Sequence, residues 1–162
     1  MDKKIIGIVS GGFDPIHPGH IMMMKDCLKF SDYLIVGINS NNWLIKKKGN
    51  YFMDIKHRMF VIENLSVVDE VMDFEDDNLG SANNLLLKIR KKFPNNKIIF
   101  ANGGDRSDSS KILEHDTALK CDIKLEYGVG GNHKESSSSD LLKRWGEYLL
   151  KKKLRTKSVF LP

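Results

Sequence analysis

The sequence predicts an α/β protein built on an open, doubly wound parallel sheet of five strands with helices on both faces. Two observations carry this. Short β-rich runs alternate with longer helical stretches along the whole chain. The runs are also near-continuously apolar, as in Ile5-Ile6-Gly7-Ile8-Val9 and Tyr33-Leu34-Ile35-Val36-Gly37-Ile38, which marks strands buried on both faces.

Taken in order, the first strand over residues 5–9 leads to a helix over 21–30, with Ile21, Met24 and Leu28 on one apolar face. The second strand, 33–38, is followed by a Lys-rich loop and a helix over 54–65. A third strand over 67–72 precedes a helix over 79–92, closed by the turn Phe93-Pro94-Asn95-Asn96. The fourth strand spans 97–101, the next helix 109–119, and the fifth strand 122–127. The last helix covers 138–152, with Leu141, Leu142, Trp145, Tyr148 and Leu149 on one side and the serine run 136–139 at its start. Ligands of such sheets bind at the carboxyl ends of the strands, near the switch in strand order. One domain over residues 1–162 is expected, with a short basic C-terminal extension from about 150.

Composition narrows the class. Hydrophobic content of 41% and charged content of 29% suit a soluble globular protein, and no apolar stretch approaches the ~20 residues of a membrane span. The apolar run behind Met1-Asp2-Lys3-Lys4 is too short for a secretory signal and is followed at once by Gly11-Gly12-Phe13-Asp14. The two cysteines, Cys27 and Cys121, form neither a disulfide framework nor a zinc site, so a reduced, cytoplasmic setting is expected. A net charge of +5 fits anionic partners, either nucleotides and phosphorylated metabolites or nucleic acid. The lysines are dispersed, so charge alone does not choose between them.

The first strand runs into Ser10-Gly11-Gly12-Phe13-Asp14-Pro15-Ile16-His17-Pro18-Gly19-His20. Gly11 and Gly12 allow close backbone approach to a ligand or a positive φ. His17 and His20, spaced three apart at a helix start, share one face. Free N–H groups and the partial positive charge of the helix end join them, which makes a phosphate site. His-x-x-His also occurs in metal centres, but no Cys, third His or carboxylate completes one here.

Residues 12–20 resemble the GxFDxxHxGH signature of the cytidylyltransferase-like nucleotidyltransferases. Ser137-Ser138-Ser139-Asp140-Leu141-Leu142-Lys143-Arg144 is similar to the family's ISTT/ISST motif, with Ser136 where the family usually has Ile. His57-Arg58 with Val68-Asp69-Glu70-Val71 resembles glycerol-3-phosphate cytidylyltransferases. Phe74-Glu75-Asp76-Asp77 and Gly103-Gly104-Asp105 look like heptose-phosphate adenylyltransferases. The resemblance spans residues 5–146.

The resemblance implies a Rossmann-like fold and transfer of a nucleotidyl group from a nucleoside triphosphate to a small phosphorylated or phosphonate acceptor, with pyrophosphate released. CTP is the favoured donor, and adenylyl transfer to a sugar phosphate such as a heptose phosphate is the alternative. The implied catalytic residues are His17, His20, Lys46, Lys48 and Arg58, the arginine as a planar fork for phosphate. The implied nucleotide-binding residues are Gly11, Gly12, Phe13, Asp14, Gly19, Gly104, Asp105, Arg106, Ser137, Ser138 and Ser139. Asp14 is expected to orient its loop or meet a metal rather than act as a base. Mg²⁺ is expected to travel with the triphosphate on few protein ligands, and a homodimer is expected because relatives are often dimers.

Each assignment has a plainer reading. Lys46-Lys47-Lys48 is a solvated run in most proteins, Arg58 pairs with an acidic neighbour, and the serines only cap a helix. Asp105 and Arg106 divide between substrate contact and loop structure, and Gly128-Val129-Gly130-Gly131 between base reading and a turn. His115 and His133 carry no signature, and Met22-Met23-Met24 reads as core filling. Two rival functions are a nucleotide-binding regulator without turnover and a nucleic-acid module using the Lys-rich tail. The second lacks aromatic interleaving.

Overall fold

The computed structural model describes residues 4–103, 112–131 and 137–158. Five parallel strands form one sheet: β1 (Ile6–Gly11), β2 (Tyr33–Ile38), β3 (Glu70–Asp73), β4 (Ile98–Gly103) and β5 (Ile123–Val129), in the order β3-β2-β1-β4-β5. The expected Rossmann-like, doubly wound α/β fold is observed. The order reverses beside β1, whose residues Ile6 to Gly11 pair with Tyr33 to Ile38 on one side and whose Ile6 to Ile8 pair with Ile98 to Phe100 on the other.

The helices are α1 (Pro18–Cys27), α2 (Asn41–Lys48), α3 (Ile55–Glu63), α4 (Asn83–Lys92), α5 (His115–Lys120) and α6 (Ser138–Ser158). Alternation along the strands sends side chains to two cores. Ile6, Ile8, Ile35, Ile98 and Phe100 pack with Leu85, Leu86 and Ile89 of α4 and Ala118 of α5. Val9, Leu34, Val36, Ile38 and Ala101 pack with Met24 and Cys27 of α1 and Ile62 of α3. Both faces are therefore covered, as near-continuous apolar strands require.

Three expectations change. Residues 46–48, expected in a loop, belong to α2. Ser40 caps that helix by accepting from Trp43 N at 3.0 Å, and Gly49 ends it at a φ of 87°. The last helix does not stop near 152 but runs to Ser158. Its apolar side stays uncovered by the described residues: Trp145, Tyr148 and Leu149 are each about half exposed, with the Trp145 and Tyr148 rings stacked at 5.1 Å. Of the methionine triplet, Met24 is in the core and Met22 is exposed. No described helix is long and apolar enough to cross a membrane.

Leu85 fills the gap that Gly37 leaves in β2; a Cβ on residue 37 would lie 2.2 Å from its Cδ2. Leu85→Ala is expected to lower the unfolding free energy by about 3 kcal/mol, the scale of a buried leucine replaced by a cavity, as measured by urea denaturation.

Candidate functional site

The turn from β1 into α1 is shaped by buried contacts. Phe13 adopts a φ of 48°, a left-handed conformation that bulky residues rarely take. It is held there by burial and by its ring, which meets the His20 ring edge-on at 4.9 Å. His17 caps α1 and His20 lies in its first turn. Their rings share one face as expected, with centroids 3.7 Å apart. Gly19 leaves the room for this: a Cβ there would sit 3.0 Å from His17 Cε1.

The histidines are donors rather than cations. His17 N–H donates to His20 Nδ1 at 3.3 Å, so the neutral His20 ring carries its proton on Nε2. Burial pushes the His20 pKa down to about 3, aided by His17 and by Lys48. Burial and then Lys48 also lower that of His17. His17 Nδ1 is buried without a partner among the described residues.

Arg58 corrects the sequence reading. Its guanidinium is 1% exposed and is committed to the protein itself. Nε donates to Met53 O at 2.9 Å, one terminal nitrogen to Gly12 O and Asn39 O at 2.8 Å each, and the other to Asn41 Oδ1 at 2.8 Å. It is therefore a strut between three loops and offers no open fork to a phosphate. Asp14 is its counterpart, fully buried. One carboxylate oxygen accepts from Phe52 N at 2.6 Å and the other from Met53 N at 2.7 Å. Of the two roles expected for Asp14, the geometry is that of a loop orienter.

The lysines separate because they lie on a helix, where successive side chains diverge by ~100°. Lys48 reaches back to the β1 loop and donates to Asp14 O at 3.2 Å. Burial is the main cause lowering its pKa, opposed by Asp14. Lys47 lies over the Trp43 ring at 4.3 Å and lines the same cavity as Lys48 and His20. Lys46 instead lines a neighbouring groove with Asp76 and Asp77. Lys46 and Lys48 are the pair expected at the site, whereas the helix brings Lys47 and Lys48 to the cavity.

The start of α6 meets the histidine loop. Ser138 is buried and donates from Oγ to Pro15 O at 2.8 Å. Ser137 is used in a cap: its Oγ donates to Asp140 Oδ2 at 2.7 Å and accepts from Asp140 N at 3.1 Å. Ser139 is exposed and does not line the cavity. Gly104, Asp105 and Arg106, with His133, lie outside the described residues. The glycine turn at the end of β5 has positive φ at Gly128, Gly130 and Gly131, and Gly131 N donates to Gly128 O.

A cavity of about 220 Å³ joins these parts at the carboxyl ends of the strands. Its wall includes Gly11, Gly12, Phe13, His20, Lys48 and Ser138, together with Asn39, Trp43, Lys47 and Glu114. Of the last four, Lys47 was named only within the lysine run, and Asn39, Trp43 and Glu114 were missed. Asn39 directly follows β2, so the strand-end rule was the available signal; Glu114, beyond β4, had none. Among the described residues, no three His, Cys, Asp or Glu side chains gather to hold a metal ion.

A parallel sheet with this cavity at its switch point, walled by a histidine-bearing helix start and two lysines, is that of a nucleotidyltransferase. The chain belongs to the cytidylyltransferase-like family, whose model matches residues 8–144. It is 37% identical over 79 residues to the bifunctional protein HldE of Helicobacter pylori strain P12, a match covering 48% of this chain and 17% of that protein. It is 33% identical over 116 residues to HldE of Actinobacillus succinogenes, covering 65% of this chain and 24% of that protein. The chain thus spans between about a sixth and a quarter of these relatives. The crystal structure of the lipopolysaccharide core biosynthesis protein from Thermoplasma volcanium superposes with a TM-score of 0.59 at 22% identity, covering 77% of this chain and 94% of that one. At that identity it speaks for the fold alone.

Two outcomes test the site's construction without any ligand. Arg58→Lys is expected to cost roughly 3 kcal/mol in urea unfolding, because one ammonium cannot reach three loops at once. A residue serving only phosphate would leave ligand-free stability unchanged. The depressed His20 pKa has the opposite pH signature to a paired histidine. Below pH 6.5 the unfolded chain takes up a proton that the folded state refuses until pH approaches about 3. The stability difference between wild type and His20→Asn is therefore expected to shift against wild type as pH falls from 7 towards 4, read from thermal unfolding of both across that range.

Proposed function

We propose that this chain joins the α-phosphate of a nucleoside triphosphate to a small phosphorylated or phosphonate acceptor and releases pyrophosphate. The observation that carries the reading is the shared wall of His20, Lys48 and Ser138 around one cavity, with His17 stacked behind His20. The acceptor phosphate has a second pKa of ~6 and is mostly dianionic at neutral pH, so no protein base is required. Its oxygen bonds to the α-phosphorus as the bond from that phosphorus to the bridging oxygen breaks, and the electron pair leaves with pyrophosphate. The protein's task is alignment and relief of negative charge.

Neutral His20 would donate from Nε2, and His17 from its own ring, to phosphate oxygens as charge moves to the leaving group. Lys48 would supply positive charge, and so would Lys47 beside it. The helix starts at His17 and Ser138 would add backbone N–H groups. Asp14, with both oxygens taken by backbone donors, does not fit a metal-ligand role. This donor set fits a Mg²⁺ ion carried in on triphosphate oxygens with few protein ligands, supplying charge neutralisation there. Cytidylyl transfer is supported by the likeness of His57-Arg58 and Val68-Asp69-Glu70-Val71 to glycerol-3-phosphate cytidylyltransferases. Adenylyl transfer to a sugar phosphate is favoured by the likeness of Phe74-Glu75-Asp76-Asp77 and Gly103-Gly104-Asp105 to heptose-phosphate adenylyltransferases. A cytoplasmic homodimer is the setting we propose.

Pyrophosphate release measured with CTP, ATP, GTP and UTP against a panel of phosphorylated acceptors identifies the donor and the acceptor together. His17→Ala and His20→Ala are each expected to lower turnover by ~10²-fold, the scale of one lost preorganised donor. A near-normal rate in either variant refutes the role of that residue. Tight nucleotide binding without release from any pair would instead establish the regulator reading.

A further inference from the structure

Glu114 is used by neither the signature motifs nor the proposed chemistry, yet it lies in the wall of the cavity. It immediately precedes α5 and is 5% exposed. Its two oxygens differ sharply. Oε1 accepts from Ala82 N at 2.7 Å, at the start of α4. Oε2 is buried and has no hydrogen-bond partner among the described residues. A buried carboxylate oxygen left unpaired costs free energy, and the carboxylate cannot turn to relieve it without releasing Ala82 N. The structure thus holds Glu114 in a fixed place, in a wall otherwise supplied with donors by His20, Lys47 and Lys48.

We propose that Glu114 is the specificity residue for the acceptor substrate, which is a hydroxyl-bearing phosphate of the polyol or sugar class; one of its hydroxyls donates to Oε2. This rests on the transfer reading above. Charge decides between the two donors small acceptors commonly offer. An ammonium group would enter a cavity already lined by two lysines and meet like charge there. A neutral hydroxyl satisfies Oε2 without that repulsion. Its phosphate is drawn to the lysines at the same time, so the two ends of one small molecule are read by opposite charges. A site built to bond a hydroxyl discriminates strongly against analogues that lack one, because the buried partner is left empty.

The test is Glu114→Gln. The amide oxygen keeps the bond from Ala82 N, while the NH₂ replaces Oε2 and turns an acceptor into a donor. Steady-state pyrophosphate release is measured with glycerol 3-phosphate, a set of aldose phosphates and the hydroxyl-free 2-aminoethylphosphonate, and thermal unfolding is followed in parallel. The expected result is a rise of about tenfold or more in KM for the hydroxyl-bearing acceptor, with KM for the triphosphate and the unfolding midpoint unchanged. Glu114→Asp, which withdraws the carboxylate by one methylene, should raise the same KM. A rise in the triphosphate KM instead would make Glu114 a reader of the nucleotide and overturn the assignment. So would an unmoved acceptor KM in Glu114→Gln, or wild type preferring 2-aminoethylphosphonate. Should Glu114→Gln fail to fold, Glu114→Asp alone decides by the same two KM values. Wild type releasing no pyrophosphate with any pair overturns the transfer reading itself; release by wild type with a variant KM unchanged overturns only the role of Glu114.

Discussion

The guanidinium of Arg58 ties together three of the loops at the carboxyl edge of the sheet. Strands alone bring chain ends to one edge; they do not hold the loops that leave it. Arg58 does so by donating to Gly12 O of the first loop, Asn39 O of the second, and Met53 O of the segment that precedes its own helix. Burying that charge is costly, which is why burial lowers its pKa and why nearby Asp14 and Asp54 offset the effect. The compensation is a fan of charge-assisted bonds whose planar geometry no lysine reproduces. Asp14 completes the framework from the opposite side, accepting from Phe52 N and Met53 N. The β1 loop is thereby fixed before any ligand arrives, and the imidazoles inherit that fixity.

A rigid loop holds the histidine rings in the neutral form that the proposed transfer calls for. In water an imidazole near neutral pH is partly charged and freely turning. Here the His17 amide holds His20 by Nδ1, and burial with two nearby positive or imidazole groups keeps the proton count at one. In the proposed transfer such a donor would be in place before charge develops, leaving little reorganisation. Positive charge is delivered separately, by Lys47 and Lys48 from α2. The division suits a reaction in which negative charge is moved between oxygens rather than created or destroyed.

Much was legible in the amino-acid order alone, and the reason is local physics. Apolar runs at Ile6–Gly11, Tyr33–Ile38 and Ile98–Gly103 can only be buried in a sheet covered on both sides. His17 and His20 share a face because three residues make nearly one helical turn. The serine-led helix start was visible too, although Ser137 turned out to serve the helix through Asp140 while Ser138 turned inward to Pro15. Arg58 was misread for a clear reason. An arginine in a helical pattern looks the same whether its fork faces a ligand or three backbone carbonyls, and those carbonyls come from residues 12, 39 and 53.

The sequence by itself determined the class of the sheet, the place of the strand ends, and the shared face of the two imidazoles, because each follows from spacing within a few residues. Tertiary structure decided which cations reach the cavity, what Arg58 bonds to, and that Glu114 stands in the same wall as His20. These depend on contacts between segments tens of residues apart, where neither periodicity nor motif carries information. The lysines illustrate the boundary: three adjacent charges are equivalent on paper, and only the winding of α2 and the loop it faces assign Lys48 to Asp14, Lys47 to the cavity and Lys46 to the groove beside it.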